Sequence, residues 1–306
     1  MDSRHLSRLL VATLMCVAMS SISMCFGESA HHTGKPPATV LSGSVEHVEV
    51  LGSVDENLRP GKPFLQSQLP KLDDWTNGRW CRIPNWMAGK DWVHEQSTSV
   101  YREDLRAHTV DTTQTTETDS GIETWGWQRD KNGDTWQYNP APFMSRDDGD
   151  KEFTVHLHHE PWETVSFEPD RMVFRAVGTH IDVDKQSNLI TNATQAETIL
   201  VFTPIAEGVM RTDYSAKIFD EDGQPKSLRK SFRINRRQVP FEAWNYHNGR
   251  DVRTAFYQFL AANGMSHLIP PQANGKDATV VPGTSVGRSG IPEMVKPNLV
   301  RRGQKH

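Results

Sequence analysis

The stretch FTVHLHHEPWE holds the residues best suited to chemistry. On a strand, His156 and His158 project to one side with Thr154, while Phe153, Val155 and Leu157 project to the other. His-x-His on a strand presents two imidazoles together, as several metal sites require. Glu163 lies five residues beyond His158, and His180, Asp182 and Asp184 fall on one face of a neighbouring strand, where they could add ligands. The apolar residues support the opposite reading. If Phe153, Val155 and Leu157 pack inward, both histidines face water. A polar lumen without metal is a third arrangement. Because a third and fourth ligand are not evident, no tightly held metal and no cofactor are expected.

Other chemical patterns lose their force in context. GTSVG, residues 283 to 287, matches a nucleophile motif that works only on a strand-to-helix turn, and here it follows Pro282 in a Pro- and Gly-rich tail. DKNGD and DEDG resemble calcium loops but sit in hairpin turns and lack the later bidentate Glu. Asn192-Ala193-Thr194 fits a glycosylation acceptor. The basic run SLRKSFRINRR either offsets Asp213 and nearby acids across a hairpin or docks an anionic partner.

The chain has 306 residues and three cysteines. Its start has the plan of a secretory signal: Arg4 and Arg8, an apolar run from Leu9 to Val17, then serines and small residues to Gly27. That run is short of the roughly 20 apolar residues of a membrane span. Cleavage after Gly27, a retained anchor, and lipid attachment at Cys25 are the three alternatives. Arg4, Arg8 and Asp2 leave with the signal, a net of +1, so the formal −4 becomes −5. That balance argues against a nucleic-acid binder, which needs clustered Lys and Arg. The exported chain keeps Cys81 alone, so no internal disulfide forms. Cys81 is expected to be buried between Trp80 and Ile83.

The elements that must position these residues alternate like strands. In MRTDYSAKIF, Met210, Thr212, Tyr214, Ala216 and Ile218 share one face. After the turn DEDGQP, Leu228, Phe232 and Ile234 alternate with Arg229, Ser231 and Arg233, which predicts a hairpin with one wet face. A second hairpin centres on Asn132-Gly133. Counting outward pairs Arg129 with Trp136 and Trp127 with Tyr138, and puts Trp125, Trp127, Trp136 and Tyr138 on one face. Further strands are expected at 91–101, 106–116, 151–159, 162–168, 171–184 and 197–203. One helix is expected in NGRDVRTAFYQFLAANG, with Val252, Ala255, Phe256, Phe259 and Leu260 on its stripe, Asn248 or Asp251 as cap, and Gly264 as its end. So many strands with little room for crossovers make an antiparallel meander, which closes most readily into a single up-and-down barrel.

Two stretches carry family resemblances. NGRW places Gly78 and Trp80, and AGKDW places Gly89 and Trp92, at or near the Gly-x-Trp spacing that opens the first strand of the lipocalin-like, or calycin, barrels. The resemblance spans about residues 76 to 262 and implies a Trp closing one barrel end. The spacing His156-x-His158-x4-Glu163 resembles the first metal motif of the cupins.

The expected organisation is a signal peptide at 1–27, a loosely attached leader at 28–72 with a β-like piece, a mainly β barrel domain with a C-terminal helix at 73–269, and a disordered tail at 270–306. The expected function is non-catalytic and exported, to the periplasm or beyond. The protein would hold a small, partly apolar ligand against Trp125, Trp127, Trp136 and Tyr138, or dock an envelope protein. A metal-dependent enzyme built on His156, His158 and Glu163 is the alternative, and a solid-barrel interaction scaffold the third reading.

Overall fold

Fifteen strands and one α-helix follow one another along the computed structural model, which describes residues 45–69, 78–247 and 249–271. The signal, Asn248 and nearly all of the tail therefore lie outside the described residues. The strands begin with β1 (Arg79–Ile83), β2 (Gly89–Asp104), β3 (Thr109–Asp111) and β4 (Thr115–Trp125). A short hairpin comes next, β5 (Gln128–Arg129) and β6 (Thr135–Asn139). Then come β7 (Phe143–Asp148), β8 (Glu152–His158), β9 (Glu163–Glu168), β10 (Arg171–Asp184), β11 (Ile190–Ala206), β12 (Val209–Phe219) and β13 (Pro225–Pro240). Two-residue strands β14 (Tyr246–His247) and β15 (Arg250–Asp251) lead into α1 (Val252–Ala262).

Every pairing is antiparallel. The large sheet runs β3-β2-β13-β12-β11-β10-β8-β7, with β4 also on β2 and β9 also on β10. The first long strand thus pairs with the last. Among the described residues the sheet does not close: its path ends at β7 on one side and at β3 and β4 on the other. No closed barrel is found among the described residues, and β1, β6 and β5 pair with one another in a separate small sheet.

The small sheet is a middle layer. Trp80 and Tyr138 are direct partners across β1 and β6, and with Trp136 they meet Val252, Phe256 and Leu260 of α1. The opposite side of β1, through Cys81 and Ile83, joins the core of the large sheet. The helix stripe therefore finds its cover on the small sheet. Asp251 caps α1 by accepting from the Thr254 N–H at 2.8 Å, and Gly264 ends the segment at φ +72°.

Burial along β12 follows the alternation in its sequence: Met210, Thr212, Tyr214, Ala216 and Ile218 are all buried. On β13 the expected sides reverse. Arg233 and Asn235 are buried, while Leu228, Phe232 and Ile234 are half-exposed. Thr212 pairs with Arg233 and Met210 with Asn235, so the polar residues of β13 share the inner face.

The hairpin of β5 and β6 also departs from expectation, by one residue. Gln128 pairs with Trp136 and Arg129 with Thr135. The Asp130 carboxylate accepts from the N–H groups of Asn132 and Asp134, which inserts an extra turn residue before Gly133 at φ +86°. The strand expected at 106–116 divides into β3 and the start of β4, and the one at 197–203 extends over all of β11.

The leader is held over residues 45–69. Val54, Leu58, Phe64 and Leu69 are buried against Phe153, Val155, Leu157, Ile181 and Val183. The β-like piece is not assigned as a strand, but it hydrogen-bonds at Leu51 and Val54 to the turn after β12.

Candidate functional site

Residues directly opposite in an antiparallel sheet share a face. From β10 to β13, one inner row is Phe174, Leu200, Tyr214 and Ser231. The next is Ala176, Thr198, Ala216 and Arg229, and the third is Gly178, Ala196, Ile218 and Ser227. On β10, β11 and β12 the large side chains of the first row thus give way to Ala176, Thr198 and Ala216 in the second, with Arg229 of β13 at that row's end.

The large end is an aromatic plug. Trp125 stacks on Phe174 at 5.9 Å, meets Phe202 edge-on at 4.8 Å, and lies 6.1 Å from Trp162. Trp92 is in the same cluster, donates to the Met87 carbonyl at 3.1 Å, and has the Arg237 guanidinium 5.6 Å from its ring. Of the two Gly-x-Trp candidates, Gly89 with Trp92 opens a strand of the large sheet, whereas Trp80 faces the helix. The four tryptophan and tyrosine candidates divide: Trp125 belongs to the plug, while Trp127, Trp136 and Tyr138 pack in the cluster with α1.

Beyond the small rows lie the histidines. His156 is directly opposite His180, ring centroids 4.6 Å apart, and its Nε2 is 3.0 Å from the Asp147 carboxylate. His158 lies over Gly178 and donates from Nδ1 to the Val177 carbonyl at 3.0 Å. Only a glycine leaves room there, since a Cβ would come within 2.7 Å of the ring. Burial pushes His158 down to about 4 and His180 down to about 3, so both are neutral at pH 7.

His156 is 5% exposed, so the simple choice between core and water fails: leader residues cover the apolar side, and the histidine side is buried as well. Glu163 is not brought to the histidines. It pairs with Arg175, which lies between the inward Phe174 and Ala176 and so faces outward, whereas His156 pairs with the inward His180. Asp182 accepts from Thr154 at 2.6 Å and Asn192 at 2.9 Å, and Asp184 caps the following turn. Among the described residues, no group of three His, Cys, Asp or Glu is arranged to hold a metal ion. Cys81 is half-buried, and burial raises its thiol to about 11, far from a reactive thiolate.

Two buried polar groupings had no signal in local sequence. Inside, Arg233 is 4% exposed, donates to Asp119 at 2.6 Å, and lies 3.7 Å from Glu123 and 5.0 Å from the Tyr214 ring. Burial opposes the charge on Asp119, but His94 and Arg233 together hold its carboxyl below the usual range. Outside, His47 of the leader joins Glu197 at 2.7 Å and Ser215 at 2.8 Å. Those types and distances match a nucleophile relay. Yet Ser215 is 1% exposed in mid-strand, and Glu197 is also held by the Val48 N–H at 2.9 Å and Arg175 at 3.0 Å. A carbonyl cannot reach that hydroxyl, so the arrangement is a clasp for the leader.

Neither family models, nor curated proteins, nor solved structures give a match to this chain. No helix among the described residues is long and apolar enough to cross a membrane.

Proposed function

We propose that the protein is a non-catalytic, exported binder that holds a small, partly apolar ligand on the inner face of its large sheet. The observation that carries this reading is the small inner row Ala176–Thr198–Ala216, set between the aromatic plug at Trp125 and the neutral histidines. The short side chains of this band, between an aromatic end and uncharged rings, are the kind of wall such a ligand takes. Trp125 is the member of the expected aromatic set that borders the band. The strand order supports a lipocalin-like, up-and-down barrel opened between β4 and β7, since β2 and β13 are paired. Export rests on the sequence of residues 1–27, and N-terminal sequencing of the exported protein at Glu28 is its test.

The binding reading is tested by titrating an apolar, fluorescence-quenching probe against the full chain. Saturable quenching that falls in Trp125→Phe supports it, and quenching that never saturates contradicts it. A solid interaction scaffold is the second reading. It is favoured by the burial of Ala176, Ala196 and Ala216 themselves.

A further inference from the structure

On the outer face of the large sheet, β2 and β13 slip out of step. Arg233 pairs with Ser97 and Arg236 with Val93, so His94, Glu95 and Gln96 oppose only Ile234 and Asn235. An extra residue on one strand bends it and disrupts the ladder. Here the slip coincides with a crevice of about 350 Å³. Val93, Phe232 and Ile234 contribute its apolar lining. Glu95 and Gln96 line it from β2, and Arg236 and Gln238 from β13.

The crevice presents two exposed charges of opposite sign on opposite strands, Glu95 on β2 and Arg236 on β13. Among the described residues, neither Glu95 nor Arg236 takes part in an ion pair or side-chain hydrogen bond, and none joins them to each other. Arg233 also lines this crevice, but its guanidinium points inward, where Asp119 and Glu123 engage it. A ligand that satisfies both walls must itself carry separated opposite charges. An anion alone would meet Glu95, and a cation alone would meet Arg236.

We propose that this crevice binds a zwitterionic α-amino acid with an apolar side chain. The α-carboxylate meets Arg236, the α-ammonium meets Glu95, and the side chain lies on Val93, Phe232 and Ile234. Gln96 and Gln238 supply the remaining hydrogen bonds. Because the two charged groups are exposed, each contributes little, and the affinity is weak, with Kd on the order of 1 mM. The site lies on the outer face and does not depend on the inner binding band.

The test is amide chemical-shift titration of the isotope-labelled full chain with leucine, with 4-methylpentanoate (leucine without its ammonium) and with isopentylamine (leucine without its carboxylate). Leucine should shift Val93, Glu95, Gln96, Arg236 and Gln238 saturably, with each singly charged analogue weaker by about threefold to fivefold. Arg236→Gln should reduce leucine to the level of the amine and leave amine binding unchanged, and Glu95→Gln should reduce it to the level of the carboxylate. Both variants should melt with the parent, since neither residue is buried. Absent saturation with leucine, equal binding of 4-methylpentanoate, or unchanged leucine binding in both variants would each overturn the proposal.

Discussion

Arg233 donates to Asp119 across 2.6 Å on the inner face of the large sheet, where the arginine is 4% exposed. Its strand presents the guanidinium inward while Phe232 and Ile234 stay half-exposed. Removing one member of a buried pair leaves the others uncompensated. Arg233→Met should therefore cost about 3–5 kcal/mol, because Asp119 and Glu123 would be left facing each other. Denaturant unfolding measures it, and a loss under about 1 kcal/mol would show that the network is wet and screened.

Two glycines should fail for different reasons. Gly133→Ala meets no atom within 4 Å but must adopt φ +86°, which costs roughly 1–2 kcal/mol. Gly178→Ala has no backbone strain but drives a methyl into the His158 ring, an overpacking of about 1–3 kcal/mol. Replacing His158 by Ala alongside Gly178→Ala should recover part of the second loss and none of the first. Thermal melts of the single and paired variants decide it.

Acid should loosen the fold well above the carboxylate range. Burial lowers His158 to about 4 and His180 to about 3, below their ordinary value near 6.5. The unfolded chain takes up these protons first. The stability held by the neutral rings is complete above about pH 6.5 and is lost as pH falls toward 4 and then 3. His180→Asn should flatten the fall in melting temperature between pH 6.5 and 4. An equal slope in parent and variant would place the acid sensitivity elsewhere.

The leader clasp makes a local prediction. Glu197 is fully buried, and burial works against its charge, yet bonds from His47 and the Val48 N–H, with the nearby charges of His47 and Arg175, lower its pKa. His47→Ala should raise hydrogen exchange at Val48, whose N–H is held by Glu197, while the ladder between β11 and β12 keeps its protection. Unchanged exchange at Val48 would mean that the apolar leader residues alone hold it.

The mainly β character was legible where one side chain in two meets the core, as on β12 from Met210 to Ile218. The helix was legible because its stripe, its Asp251 cap and Gly264 all agree. The hairpin register was missed because it depends on one side chain: Asp130 adds a turn residue, and a slip of one changes every cross-strand partner. The small sheet was missed because β5 has only two residues. The inward side of β13 was hidden because Arg233 reads as a wet position until Asp119 and Glu123 are placed beside it. Most of the candidate site rests on long-range register. Nothing near Ala216 marks it as one row with Ala176, and nothing near His156 shows that Glu163 lies on the other face.

The central claim, a band on the inner face with room for a ligand, is tested most directly by Ala216→Leu. The measurement is the affinity of an apolar probe and the melting temperature of the same sample. If the band is open, the added side chain fills it: probe affinity falls by about tenfold or more, and the melting temperature holds or rises. If the band is already packed solid, the variant loses about 1–3 kcal/mol of stability while the parent binds no probe saturably, and the binding account is contradicted.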